Sequence, residues 1–365
     1  MDAAIGMTVL VTGGTGFIGG RLVEKLVLDR GESVRVLLRS YARATRVARF
    51  DVELVKADLA DTARLADAMR GCDVVFHCAH DFVDADRNVE AAQAIARECL
   101  RAGVRRLVYL SSAAVYEPLP DGIVDESTPA QPVGWSYKDT KIRVEQELMR
   151  SAVEEGLSVA ILQPTIVYGP FGSFWTEQPV SWLRSSRVVL PDGGEGLCNA
   201  VYVDDVVDAM LLSSTAELDG GERVLISAAR PVTWREYFAA FERALGVRAV
   251  VCMPDAKLPA SAEWSRGRRL RTALRHEPVA TATRAAVKAA TSALPPARQP
   301  AFARRLLGGS RPWRFVLPDD YLRALYGARA TVSVEKARRV LGYEPAFDFE
   351  RGMDLTALFI AWANL

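Results

Sequence analysis

Beginning at Met7, the stretch "MTVLVTGGTGFIGG" runs from an apolar segment into glycines at positions 13, 16 and 19 and on into a helical pattern from Arg21 to Asp29. That order reads as strand, tight turn, helix. Residues without a Cβ let the backbone approach a pyrophosphate closely, and the free amides and dipole at the start of the helix attract negative charge. A glycine-rich turn without a ligand is the competing account, and the strand and helix on either side argue against it.

The alternation continues through "SVRVLLRS", "VELVKADLA", a helix at about residues 61 to 70, "DVVFHCAH", a helix ending near Gly103, and "RRLVYLSS". Five short apolar strands separated by helices predict an α/β chain with a parallel, doubly wound sheet, whose ligands sit at the carboxyl ends of the strands. "LSSAAVY" lies at such an end and carries Ser111 and Ser112 there. Strand-end capping is the bland role for both hydroxyls.

Ten tyrosines and seven lysines meet at four-residue spacing only once, as Tyr137 and Lys141 in "SYKDTK". Residues i and i+4 share a helix face. The run from Ser136 to Glu155 suits a helix: it carries Ile142, Val144, Leu148, Met149 and Val153, holds no internal Pro or Gly, and stops at Gly156. An ammonium beside a phenol favours the phenolate, which moves the group toward the range useful for proton exchange. A solvated helix face is the alternative.

At 365 residues and 50% hydrophobic composition the chain can bury a substantial core. Its 46 Lys and Arg against 45 Asp and Glu give no bias toward nucleic acid. The five cysteines, Cys72, Cys78, Cys99, Cys198 and Cys252, include no Cys-x-x-Cys pair and suit reduced thiols. No run of 18 apolar residues occurs, and no basic region precedes the first apolar stretch, so a cytoplasmic protein is expected. His77 and His80 form a His-x-x-His without the further ligands of a metal shell, and no metal is expected.

Together, "TGGTGFIGG", "LSSAAVY", "SYKDTK", "ILQPTIVYGP" and "VYVDDVVDAM" resemble the extended short-chain dehydrogenase/reductases, which include nucleotide-sugar epimerases and 3β-hydroxysteroid dehydrogenases. The likeness covers about residues 7 to 250. It implies a Rossmann-type domain over residues 1–165 and a smaller, mainly substrate-binding lobe over 166–365, with some segments returning to the core and a basic insertion at 264–315. It implies that Tyr137 is the acid/base, that Lys141 lowers its pKa and binds the nicotinamide ribose, and that Ser112 orients the substrate oxygen. Asn88 matches a helix asparagine that supports the lysine through water, although an asparagine also serves to start a helix. Gly13, Gly16, Phe17, Ile18 and Gly19 would hold the cofactor with Asp58, Leu59, Cys78, Ala79 and Pro164. Asp58 can equally cap the helix that follows.

Cofactor choice rests on the end of the second strand. An acid there would bind the ribose diol of NAD, whereas this chain has Arg39, with Arg43 close by, which accommodates a 2′-phosphate. NADP is the expected cofactor and NAD the alternative.

The resemblance places Ala113 and Ala114 where sugar 4,6-dehydratases carry an acidic pair, and methyl groups transfer no protons. Reversible hydride transfer is the expected chemistry. A nucleotide sugar is the first candidate substrate, weakened because Cys198 stands where an arginine often meets the diphosphate. An apolar alcohol or ketone is the second, with Phe174, Trp175 and Trp182 as lining or as core. A nucleotide-sensing protein without turnover is the third, and the intact Tyr137, Lys141 and Ser112 count against it. Homodimerisation stays open.

From Trp264 to Phe315 the chain carries twelve Lys or Arg against one acid, Glu277. Such a segment suits a solvated arm, a helical lid over the substrate cleft, or peripheral contact with an anionic membrane.

Overall fold

Residue alternation along the first strand sets the layering of the chain. In the computed structural model, which describes residues 6–134, 136–218, 220–258 and 314–365, Val9 and Val11 pack into one apolar cluster and Leu10 into another on the opposite face. That is the period of a strand buried on both sides.

The central sheet contains β1 (Thr8–Thr12), β2 (Ser33–Leu38), β3 (Glu53–Lys56), β4 (Val74–His77) and β5 (Arg106–Leu110). Two further strands, Val159–Pro164 and Gly221–Ile226, extend it beyond β5. All seven run parallel, and β1 sits between β2 and β4. The connections therefore turn in opposite directions on leaving β1, and the crevice at its carboxyl end is the place where such sheets bind ligands. Thr12 is paired in register with His77 there, and the Thr12 hydroxyl hydrogen-bonds the His77 Nδ1 at 2.7 Å.

Helices α1 (Phe17–Leu28), α2 (Thr62–Met69), α3 (Ala85–Ala102) and α4 (Ser136–Glu155) cover the sheet. The span of α4 is the one its composition predicts, and Gly156 ends it with φ +73°. Val144, Leu148 and Ala152 bury one side of it, while Val153 faces solvent. The expected helices at 61–70 and ending near Gly103 form within a residue or two of their predicted ends.

Beyond the sheet, Arg187–Pro191 pairs in parallel with Val250–Met253 and Phe315–Val316. The helix Trp234–Leu245, started by a Thr233/Glu236 capping box, supplies Trp234, Tyr237, Phe238 and Phe241 to the apolar core. The "VYVDD" acids bind this half to the rest. Asp204 takes a bidentate bond from Arg21 of α1 at 2.7 and 2.8 Å, and Asp205 accepts from the Ala346 and Phe347 amides. No helix among the described residues is long and apolar enough to cross a membrane. The predicted roles for 264–315 fall, up to residue 313, outside the described residues.

Candidate active site

Two strand ends and one helix start converge on a cleft of about 1590 Å³. Gly13 turns at φ +69°, and a Cβ there would lie 2.6 Å from the Ala79 nitrogen. A Cβ on Gly19 would lie 2.4 Å from the Gly13 carbonyl oxygen. Gly13 thus lets the turn nest against the Cys78–Ala79 backbone, and Gly19 lets α1 start close against the turn itself. Gly16 caps α1 without a side-chain hydrogen bond, and the first turn carries no acid. The leading amides of α1 thereby stay available for an anion. A dinucleotide fits this cradle. Phe17, Ile18, Leu59 and Pro164 also line the cleft.

At the outer end of the cleft, the residues after β2 that line it are Arg39, Ser40 and Arg43. Arg39 is exposed and lies 3.6 Å from Asp81. Asp58 accepts from the Ala60 amide at 3.0 Å and pairs with Arg87 at 2.6 Å, while Asp61 is the residue that caps α2. Asp58 therefore closes a turn rather than the helix.

At the inner end, Tyr137 and Lys141 project from α4. Lys141 is buried and donates to the Leu110 carbonyl at 2.8 Å and the Tyr109 hydroxyl at 3.2 Å. Burial brings its ammonium down to about 8, partly offset by Glu145. The Tyr137 phenol hydrogen-bonds Ser112, but burial is the larger influence and raises its pKa, with the Glu117 charge acting in the same direction. In this structure the phenol is thus harder to ionise than in water, whereas the sequence led to the expectation of a lowered pKa. Ser112 also accepts from the Ala114 amide at 3.2 Å.

Ser111, one residue earlier, points elsewhere. It donates to the buried Glu145 at 2.5 Å, which also accepts from Gln163 at 2.9 Å and Arg223 at 2.9 Å. Asn88 lies within the first turns of α3, whose cap is Asp84, so it does not start that helix. Its amide donates to the carbonyls of Asp81 and Asp84 and accepts from the Asp81 amide, each at 2.8 Å, so it fastens the loop after β4.

That loop presents an aromatic cluster with no signal in the sequence motifs. Phe82 stacks on Tyr137 with ring centroids 5.8 Å apart, and the His80 ring meets Tyr137 edge-on at 5.1 Å. Burial holds His80 neutral, with its pKa down to about 3. Phe174, Trp175, Trp182, Trp234 and Tyr321 line the adjoining wall. Trp175 and Trp182 also pack on the core, so both of their expected roles hold together. Cys198 is fully buried, while its neighbours Leu197 and Asn199 line the cleft.

Comparison with known proteins places these features in context. The model of the NAD dependent epimerase/dehydratase family matches residues 9–227. A 4-hydroxy-2-methyl-3-oxo-4-farnesyl-3,4-dihydroquinoline-1-oxide ketoreductase of Stigmatella aurantiaca is 28% identical over 366 residues, covering 95% of this chain and 95% of the relative. Sterol demethylase protein B of Methylococcus capsulatus is 36% identical over 240 residues, covering 60% of this chain and 70% of the relative. Among solved structures, the UDP-glucose 4-epimerase of Thermotoga maritima with UDP-glucose superposes with a TM-score of 0.71 at 20% identity, covering 98% of this chain and 100% of that one.

Proposed function

Since this chain belongs to the NAD-dependent epimerase/dehydratase family of extended short-chain dehydrogenase/reductases, we propose that it is an NADP-dependent oxidoreductase that interconverts an uncharged, largely apolar ketone and its alcohol. One observation carries the choice of substrate class. Among the described residues the cations lining the cleft are Arg39, Arg43, Arg87, Arg97 and Lys141, all from the nucleotide-binding half, whereas the wall built by residues beyond 165 offers aromatic rings and the carboxylate of Asp319. Among the described residues a sugar-nucleotide diphosphate would meet no cation there, and a flat apolar skeleton would meet rings.

Gly13, Gly16, Gly19 and the start of α1 would hold the pyrophosphate, and Arg39 with Arg43 the 2′-phosphate. The bound nicotinamide supplies or accepts the hydride. Tyr137 gives its phenolic proton to the substrate oxygen during reduction and takes it back during oxidation. Ser112, within hydrogen-bond reach of that phenol, orients the same oxygen. Lys141 stabilises the phenolate left behind, and Phe82 and His80 shield the phenol from water on its outer side. Sequence relatives named as a ketoreductase and a sterol demethylase protein support the reading, since both names describe work on apolar skeletons.

A spectrophotometric assay of cofactor turnover with aryl and terpenoid ketones, run beside UDP-glucose and UDP-galactose, tests it. Turnover of the ketones is expected, with Tyr137→Phe slower by at least about 100-fold, the scale of a lost general acid/base. Turnover confined to the nucleotide sugars would overturn the reading.

A further inference from the structure

Glu117 carries a carboxyl that the fold uses only in part. It follows the short helix Ala113–Tyr116, and its backbone is pinned on both sides: its amide donates to the Ala114 carbonyl at 3.1 Å, and its own carbonyl accepts from the Lys138 ammonium. The side chain faces the cleft beside Tyr137. The Tyr321 hydroxyl, delivered by the helix Asp320–Gly327, hydrogen-bonds the carboxyl. Its Oε2 is buried and has no hydrogen-bond partner among the described residues. A buried acceptor left unmet carries a free-energy cost that a donor on a ligand removes.

We propose that Glu117, held in place by Tyr321, is a second substrate-recognition point that accepts a hydrogen bond from a hydroxyl beside the reacting carbonyl, so that the enzyme selects hydroxy ketones over plain ketones. This rests on the reading of the cleft as a site for an uncharged ketone. Glu117 and Tyr137 line the same cleft, so a hydroxyl that meets Glu117 would be carried by the substrate whose carbonyl meets Tyr137. Among the described residues the titratable groups that face Glu117 are Tyr137 and Lys138 from α4 and Tyr321 from the helix Asp320–Gly327. Burial pushes its carboxyl up to about 7, with Tyr321 and Lys138 pulling it down. Between about pH 6 and 8 it therefore gains the charge that makes it the stronger acceptor.

Benzoin and deoxybenzoin differ by one hydroxyl next to the carbonyl and serve as probes. Calorimetric titration of the full chain saturated with NADP is expected to show benzoin binding tighter by about tenfold at pH ~8, the preference of a site built around a substrate hydroxyl, and by less at pH ~6. Glu117→Leu should bring the ratio near one. Glu117→Gln keeps an acceptor oxygen and should retain part of the ratio without its pH dependence. Equal binding of the two probes by the unaltered protein overturns the proposal, as does an undiminished ratio in Glu117→Leu. Should that variant fail to bind NADP, Glu117→Gln decides alone, and a ratio that still climbs with pH counts against the proposal. Binding of neither probe overturns instead the ketone reading beneath it.

Discussion

The ammonium of Lys141 lies 5.9 Å from the ring centroid of Tyr137, one turn away on α4, and spends two of its donors on the Leu110 carbonyl and the Tyr109 hydroxyl. It is therefore a charge fixed to the end of β5 rather than a mobile partner of the phenol. Its pKa of about 8 makes that charge conditional.

A depressed ammonium is present below its folded pKa and lost as pH rises through it. The limiting rate is accordingly expected to lose the Lys141 contribution above about pH 8, where the ammonium loses its proton. Lys141→Met should be slower by about 100-fold at pH ~7 and show no step near 8. A pH–rate profile from about pH 6 to 10 checks this, and a step that survives in the variant would belong to another group.

Ser111 and Ser112 differ in role despite being adjacent. Ser111→Ala removes one donor from the buried Glu145 and should cost about 1–2 kcal/mol of stability, with turnover within about twofold of the unaltered enzyme. Ser112→Ala should lower turnover at least about tenfold while changing stability by less than ~1 kcal/mol. Thermal unfolding and steady-state kinetics on the two variants separate these outcomes; a reversed pattern would exchange the assignments.

Arg39 directly follows β2, with its guanidinium exposed and, among the described residues, a long contact to Asp81. NADP is expected to bind more tightly than NAD, and Arg39→Asp to erase or reverse the preference, since a charge-assisted contact is worth about 1.5–3 kcal/mol. Titration with each cofactor provides the measurement. Tighter NAD binding by the unaltered protein would refute the assignment.

Buried His77 is held neutral, with its pKa down to about 3 because burial penalises its charged form. The unfolded chain takes up that proton below about 6.5, so stability present above this pH is lost as pH falls toward 3, by up to about 1.4 kcal/mol per pH unit. His77→Gln should flatten the acid limb of a denaturation series between about pH 6 and 4. Glu117 and Asp205, both raised by burial, act in the opposite sense in the two proteins alike, so the difference isolates His77. Parallel acid limbs would assign the loss elsewhere.

Short-range interactions account for the features legible in the amino-acid order. The glycine spacing, the period-two strands and the span of α4 depend on backbone sterics and on neighbours within a few residues, and all of them appear in the fold. The same holds for the Tyr137–Lys141 spacing, which is one helix turn. Pairing across long separations is not encoded in any local pattern. The strand Gly221–Ile226 joins the sheet beside Val159–Pro164 because their apolar faces find each other in space. Which of two adjacent serines meets the phenol was settled by the direction each leaves the end of β5, and that direction depends on Glu145 arriving from α4. The side-chain amide of Asn88 fastens a loop whose path no motif records. Glu117 has its partner in a helix near the other end of the chain, and Phe82 reaches Tyr137 only because the loop after β4 folds over it. The sequence determined the strand–turn–helix cradle and the Tyr137–Lys141 spacing on α4, since each is a short-range geometry. Tertiary structure alone decided the aromatic wall of the cleft and the ionisation of the groups beside it, because burial and desolvation are properties of the assembled interior.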